Sequence, residues 1–183
     1  MLVSTFELLV TKIAPPGGTP SDSIVRNVVQ AYFLNIANPN DTDAYLELQF
    51  TATTPSLSRD NTVIIRDVTN SNEFDELTST GNPNKFTYKF TLPAQDTALI
   101  DLQPDIFKQE VLDKGLEVRG YVEIFLVKPC EPSMPFVKKG DFLLTPEHRG
   151  TFFKSLSTRN QELDQEALGL PTATGSALFS LSV

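Results

Sequence analysis

The sequence predicts an all-β protein, an antiparallel two-sheet sandwich of about eight or nine strands with one or two short helices. Three observations carry that prediction. Several segments alternate apolar and polar residues with period two, turn-forming Asn, Asp, Gly and Pro separate them, and helical periodicity is confined to two short stretches. The 183-residue, 20.2 kDa chain is expected to form one domain over residues 1–183. A chain of this size buries about 70% of its unfolded surface, enough for a core without disulfides or metal.

Near the N-terminus Phe6, Leu8 and Val10 alternate with Thr5, Glu7 and Thr11, the pattern of a half-buried strand. Residues 28–36 are apolar on both faces, which places that run centrally or beneath a second layer, and makes it the candidate central strand. Asn38-Pro39-Asn40-Asp41-Thr42-Asp43 then marks a turn, because these residues bond locally to the backbone or preset φ. Beyond it Ala44, Leu46, Leu48, Phe50 and Ala52 alternate with Tyr45, Glu47, Gln49 and Thr51, and a shorter run covers 62–68. Residues 70–84 read as a long polar connection ending in Gly81, Asn82 and Pro83. Phe86, Tyr88, Phe90 and Leu92 form the next inward face, followed by a short run at 97–102.

Pro104 opens a helical candidate containing Ile106, Phe107, Val111 and Leu112, with Gly115 placed for a left-handed cap. Leu116, Val118, Val122, Ile124 and Leu126 define another strand. Residues 128–150 hold Pro129, Pro132, Pro135 and Pro146 and read as a proline-rich excursion with a brief strand-like run at Phe142–Leu144. A second helix is expected over about 159–168, where Thr158 and Gln161 have capping-box spacing and Gly169 and Pro171 supply a stop, against acidic residues in its last turn. A run at 173–182 completes the strands.

Net charge is −8 with a pI near 4.6, which works against sequence-independent nucleic-acid binding. The charge is uneven. Residues 128–160 hold six Lys/Arg against three Asp/Glu, whereas residues 161–183 hold no Lys or Arg against three acids. The first of these is the one anion-facing region, although scattered basic residues commonly form an ordinary solvated face. The N-terminal MLVSTFELLV carries Glu7 where a signal peptide needs an unbroken apolar run, and no stretch is long and apolar enough for a membrane helix. A cytoplasmic protein without membrane insertion is expected, and the single Cys130 allows no internal disulfide.

No catalytic motif stands out, so the chain is not expected to be an enzyme. The sole histidine, His148, would have to serve any Ser-His-Asp or Cys-His arrangement, but Ser155 and Ser157 lie in no nucleophile elbow, and Cys130 sits between Pro129 and Glu131, whose carboxylate opposes thiolate formation. One His and one Cys cannot make a usual zinc site. Asp41 with Asp43, or Glu73 with Asp75 and Glu76, could offer oxygens to calcium, but neither segment has the twelve-residue loop spacing, so solvated loop charge is the favoured reading. Gly17-Gly18 lies in a Pro/Gly loop and not in a phosphate cradle. No cofactor or metal is expected.

The segments Asn38–Ala44, Phe90–Thr97 and Gly120–Ile124 resemble bacterial immunoglobulin-like sandwich domains, and among these the soluble sensory-rhodopsin transducer family, over residues 29–127. The resemblance implies an immunoglobulin-like or jelly-roll-like sandwich that acts in the cytosol as an oligomer, by binding. It carries over no functional residue.

The expected function is therefore a non-enzymatic binding or assembly module, a homo-oligomer whose partner is itself or another protein. Ala177, Phe179, Leu181 and Val183 form an apolar strand face suited to subunit contact, pairing within its own sheet being the simpler reading. A second expectation is a carbohydrate- or peptide-ligand module that uses the 128–150 loop, with Phe136, His148 and Arg149 aided by Arg119 and Tyr121. A third is a hydrolase with paired carboxylates.

Overall fold

The computed structural model describes residues 1–13, 26–52, 55, 57–129, 131, 133–154 and 162–183. Gly17, Gly18, Cys130, Ser155, Ser157, Thr158 and Gln161 lie outside the described residues. The expected antiparallel all-β class is what the chain adopts. Its strands are β1 (Leu2–Ile13), β2 (Arg26–Asn38), β3 (Ala44–Ala52), β4 (Thr62–Val68), β5 (Ser71–Asp75), β6 (Thr78–Ser79), β7 (Lys85–Leu92), β8 (Asp96–Pro104), β9 (Leu116–Leu126), β10 (Lys139–Phe153), β11 (Glu162–Gly169) and β12 (Leu178–Ser182), with one short helix, α1 (Gln109–Lys114).

The arrangement corrects the expected pair of separate sheets. All twelve described strands join one hydrogen-bonded network, whose main path β5-β4-β8-β2-β1-β9-β3-β7-β6 curls into a half-barrel. The joint is β2. One edge of β2 pairs with β10 from Asn27 to Ala37, while its other edge pairs first with β1 (Arg26–Gln30 against Ile13–Leu9) and then with β8 (Tyr32–Asn38 against Leu102–Asp96). The sheet forks where β1 leaves and β8 takes over. Two arms then wrap a shared core, in which Phe6 packs against Tyr32 at 6.1 Å and Phe50 at 5.9 Å between ring centres. The central position expected for residues 28–36 is the one β2 occupies.

The inward faces follow the alternation: Leu46, Leu48 and Phe50 on β3, Tyr88, Phe90 and Leu92 on β7, and Val118, Val122 and Ile124 on β9 are buried. Residues 70–84 differ from the expected connection, because β5 and β6 fall within them. Thr69 and Asn70, with φ of 56° and 63°, make a tight turn with two left-handed residues, which sends β5 back along β4 with Val68 opposite Ser71. The first helix expectation holds only for α1, which ends at Gly115 with φ of 73°. There a β-carbon would stand 2.8 Å from the Val10 carbonyl oxygen.

Two further corrections concern the C-terminal third. Lys139–Phe153, expected as part of a proline-rich excursion, is a 15-residue strand. Pro146 is tolerated because its carbonyl accepts from Leu170 N–H on the edge away from β2, so its missing N–H falls in the gap between Leu178 of β12, opposite Leu143, and Gly169 of β11, opposite Glu147. The second expected helix is overturned outright: Glu162–Gly169 is β11, paired with Phe153–Glu147. An isolated helix of that length is marginal in water, whereas the open edge of β10 supplies a full ladder of backbone partners.

Candidate functional site

The fork brings two of the sequence-predicted ligand residues together through a third that the sequence did not single out. Glu7 pairs with Arg119 of β9 on one side, and on the other side β1 has already parted from β2. The Glu7 backbone therefore has no strand partner on that side, and side chains take the place of one. Glu7 N–H donates to His148 Nε2 at 3.0 Å, and the Glu7 carbonyl accepts from Gln30 Nε2 at 3.3 Å. Arg119 Nε donates to Glu7 Oε1 at 2.6 Å, and Arg119 also pairs with Glu117. The His148 ring meets Tyr32 edge-on at 6.3 Å, and Tyr32 OH shares a 2.9 Å hydrogen bond with Ser4 Oγ.

A backbone donor aimed at Nε2 fixes the tautomer, with the ring proton on Nδ1 and Nε2 bare. Burial lowers the His148 pKa, opposed by the Glu7 carboxylate. Protonation would set N–H against N–H, so the bond exists only in the neutral form. Between the lowered folded value and the unfolded value of about 6.5, the unfolded chain holds more protons; this contribution is complete above about pH 6.5 and is lost as pH falls. His148→Ala is expected to cost about 1 kcal/mol at pH 7.5, the lower end of the penalty for a donor left without an acceptor, because Glu7 N–H is partly buried. That difference should shrink toward pH 5 in urea titrations of both proteins. A difference independent of pH would remove the assignment of Nε2 as acceptor.

Arg149 points to the opposite, outward face. Its guanidinium lies 4.2 Å above the centre of the Phe33 ring and donates from Nε to Glu147 Oε1 at 2.7 Å. Asp101, on β8 opposite Phe33, shares this face and is buried, with Oδ1 lacking a hydrogen-bond partner. Burial raises its carboxyl to about 7, against the pull of Arg149. Beside these groups runs an open groove of about 540 Å³, lined by Phe33, Gln103, Ile106, Arg149, Thr151 and Gln165 among others. It offers an apolar floor, amide and hydroxyl groups and one cation whose charge is already matched by Glu147.

Phe136 lies elsewhere, edge-on to Tyr45 at 6.4 Å between ring centres and lining two adjoining cavities of about 500 and 650 Å³ that also share Lys138. Tyr121 is exposed on β9, opposite Thr5 and Thr51. The five residues expected to form one ligand site are thus dispersed over separate surfaces, with Arg119 and His148 meeting only through Glu7. Of the four expected contact residues, Phe179 and Leu181 are buried in the chain's own core and Val183 is exposed. Ala177 is exposed too, its carbonyl accepting from Leu144 N–H.

The loop acids considered for calcium are engaged by their neighbours. Asp43 Oδ1 accepts from Ala94 N–H, Asp41 Oδ1 from Gln95 Nε2, and Glu73 pairs with Arg66. Among the described residues no group of three or more His, Cys, Asp or Glu side chains is placed to hold a metal ion, and no helix is long and apolar enough to cross a membrane.

Fold and surfaces together define a curled antiparallel all-β protein whose strand network is stapled at a fork by side chains. The chain matches no family model, no curated protein and no solved structure.

Proposed function

We propose that this protein is a non-enzymatic binding or assembly module of the cytoplasm, forming homo-oligomers through open strand edges. The observation that carries the reading is that β11 and β12 each pair with β10 alone. On either side of β12 the Ala177 carbonyl and Val183 N–H bond to Leu144 and Lys138, so by alternation the backbone groups of Ser180 and Ser182 face away from β10. Leu178 and Leu143, paired in register, are 49% and 46% exposed side by side on the outer face. Free backbone groups beside an apolar pair are the ordinary means by which one sheet adds a strand of another chain. The engagement of His148 Nε2 by a backbone donor supports the non-enzymatic part, since a base needs that lone pair free. The resemblance to immunoglobulin-like domains points the same way.

Light scattering during size-exclusion chromatography, at low and then high protein concentration, is expected to give a mass well above 20.2 kDa. A clean monomer throughout would overturn the assembly reading. The groove beside Arg149 favours a second reading, a module for a peptide or oligosaccharide; under it a monomeric mass is accompanied by a saturable rise in melting temperature with ligand.

A further inference from the structure

The subunit contact that the open edges imply can be narrowed to two ends of the molecule, on the premise that the chain assembles with itself. Strand β10 has 15 residues, so it spans about 45 Å at the usual rise of a strand. Lysines cluster at its start, and the acidic strand β11 lies along its far end, which also carries Arg149 and is followed by Lys154.

At the start of β10, Lys138 and Lys139 join Lys128 around Phe136, Pro129 and Val183. All three lysines are exposed, and none has a carboxylate partner among the described residues. Arg59, Arg66, Lys89, Lys108, Lys114, Arg119 and Arg149 are each ion-paired within the chain, whereas Lys12, Lys85 and Lys154 have no ion pair among the described residues either. Asp41 on the rim is the one acid lining these cavities, and Gln95 already occupies its Oδ1.

At the far end, β11 lies along residues 147–153 of β10. Asp164, Glu166 and Leu168 are exposed and fall on one face of it, because side chains two apart share a face. Leu168 is 64% exposed, and no Lys or Arg occurs anywhere in residues 161–183. One strand face therefore presents two acids without a cationic partner among the described residues, of which Asp164 Oδ1 accepts from Gln165 N–H at 2.9 Å, and a leucine. The opposite end presents lysines without carboxylate partners around a half-buried aromatic ring.

We propose that β11 of one copy docks on the Lys128, Lys138, Lys139 and Phe136 end of the next, in a head-to-tail contact. Leu168 packs on the half-buried ring of Phe136, and Asp164 and Glu166 face the lysines. Pairing of two β11 strands with each other is the less favourable geometry, since it sets like charges alongside one another. A head-to-tail contact uses two different surfaces, so repetition yields a ring or a filament and not a two-fold dimer.

A charge swap in the full chain tests this. Asp164→Lys/Glu166→Lys makes both ends basic, and Lys138→Glu/Lys139→Glu makes both acidic. All four positions are exposed, and melting curves verify that each variant folds. Each variant alone is expected to run at the monomer mass of 20.2 kDa, and an equimolar mixture to regain the wild-type mass. The milder Asp164→Asn/Glu166→Gln should weaken association about tenfold, the loss of two solvent-exposed ion pairs. If either charge-reversed variant alone keeps the wild-type mass, or if the mixture stays monomeric, the head-to-tail contact is wrong while the assembly reading stands. A monomeric wild type removes both.

Discussion

Replacing Gly120 by alanine is expected to destabilise the protein by at least about 3 kcal/mol, the upper end for forcing extra volume into a packed core. Gly120 sits in β9 where β1 and β3 flank it, opposite Phe6 and Ala52. An added β-carbon would stand 2.0 Å from the Thr51 carbonyl oxygen and 2.7 Å from Phe6 Cε1. The first of these is backbone, so the clash is relieved only by separating β9 from β3. The second is the ring that joins the two arms through Tyr32 and Phe50. Gly169→Ala is the matched control: its β-carbon meets nothing within 4 Å, and its effect should stay within about 0.5 kcal/mol. Urea midpoints of the two variants decide the matter, and equal midpoints would contradict this packing.

Asp101 should give the protein an unusual pH dependence. Its folded carboxyl titrates at about 7 against an ordinary 3.8, because it is buried, with Arg149 only partly offsetting the penalty. Between those values the folded chain holds the extra proton, so stability is greatest toward pH 4 and falls as pH rises through about 7. Three units of difference correspond to an effect on the order of 4 kcal/mol. Asp101→Asn keeps the shape and removes the charge, so it should stabilise the protein at pH 8 by a few kcal/mol and leave it nearly unchanged at pH 4. The opposite slope due to His148 should emerge in that variant as stability that rises as pH approaches about 6.5 from below. If the asparagine variant ran parallel to wild type from pH 4 to 8, Asp101 would have to be ionised at no cost, contrary to its buried position.

Much of the strand content was legible because one face of each strand is covered and the other is not. In β3 and β7 the apolar residues fall at every second position, and that pattern is a direct record of the half-buried pleat. Strand β11 left no such record, since none of its residues from Asp164 to Gly169 is buried and its conformation comes from the edge of β10. For β10, three prolines ahead of its start masked a strand whose one internal proline falls in a gap between partners. The turn at Thr69–Asn70 was silent for a similar reason, because left-handed backbone is usually announced by glycine.

The ligand residues read from the sequence show the same division. Arg149 and His148 are neighbours in the chain, yet alternation sends one to the outer groove and the other into the fork. Glu7 and Asp101, which give those two residues their chemical setting, look like ordinary polar positions in alternating strands. By itself the sequence determined the antiparallel class, the central place of residues 28–36, the inward faces, and the opposite charges of the 128–160 and 161–183 segments. Those properties follow from local periodicity and composition. Only the tertiary structure decided that the strands form one forked sheet, that Glu7 lends its backbone to His148, and that the acidic β11 lies at the far end of β10 from Lys138 and Lys139. Each of these depends on which strand edges meet, and edge pairing is made by backbone groups that every residue except proline carries alike.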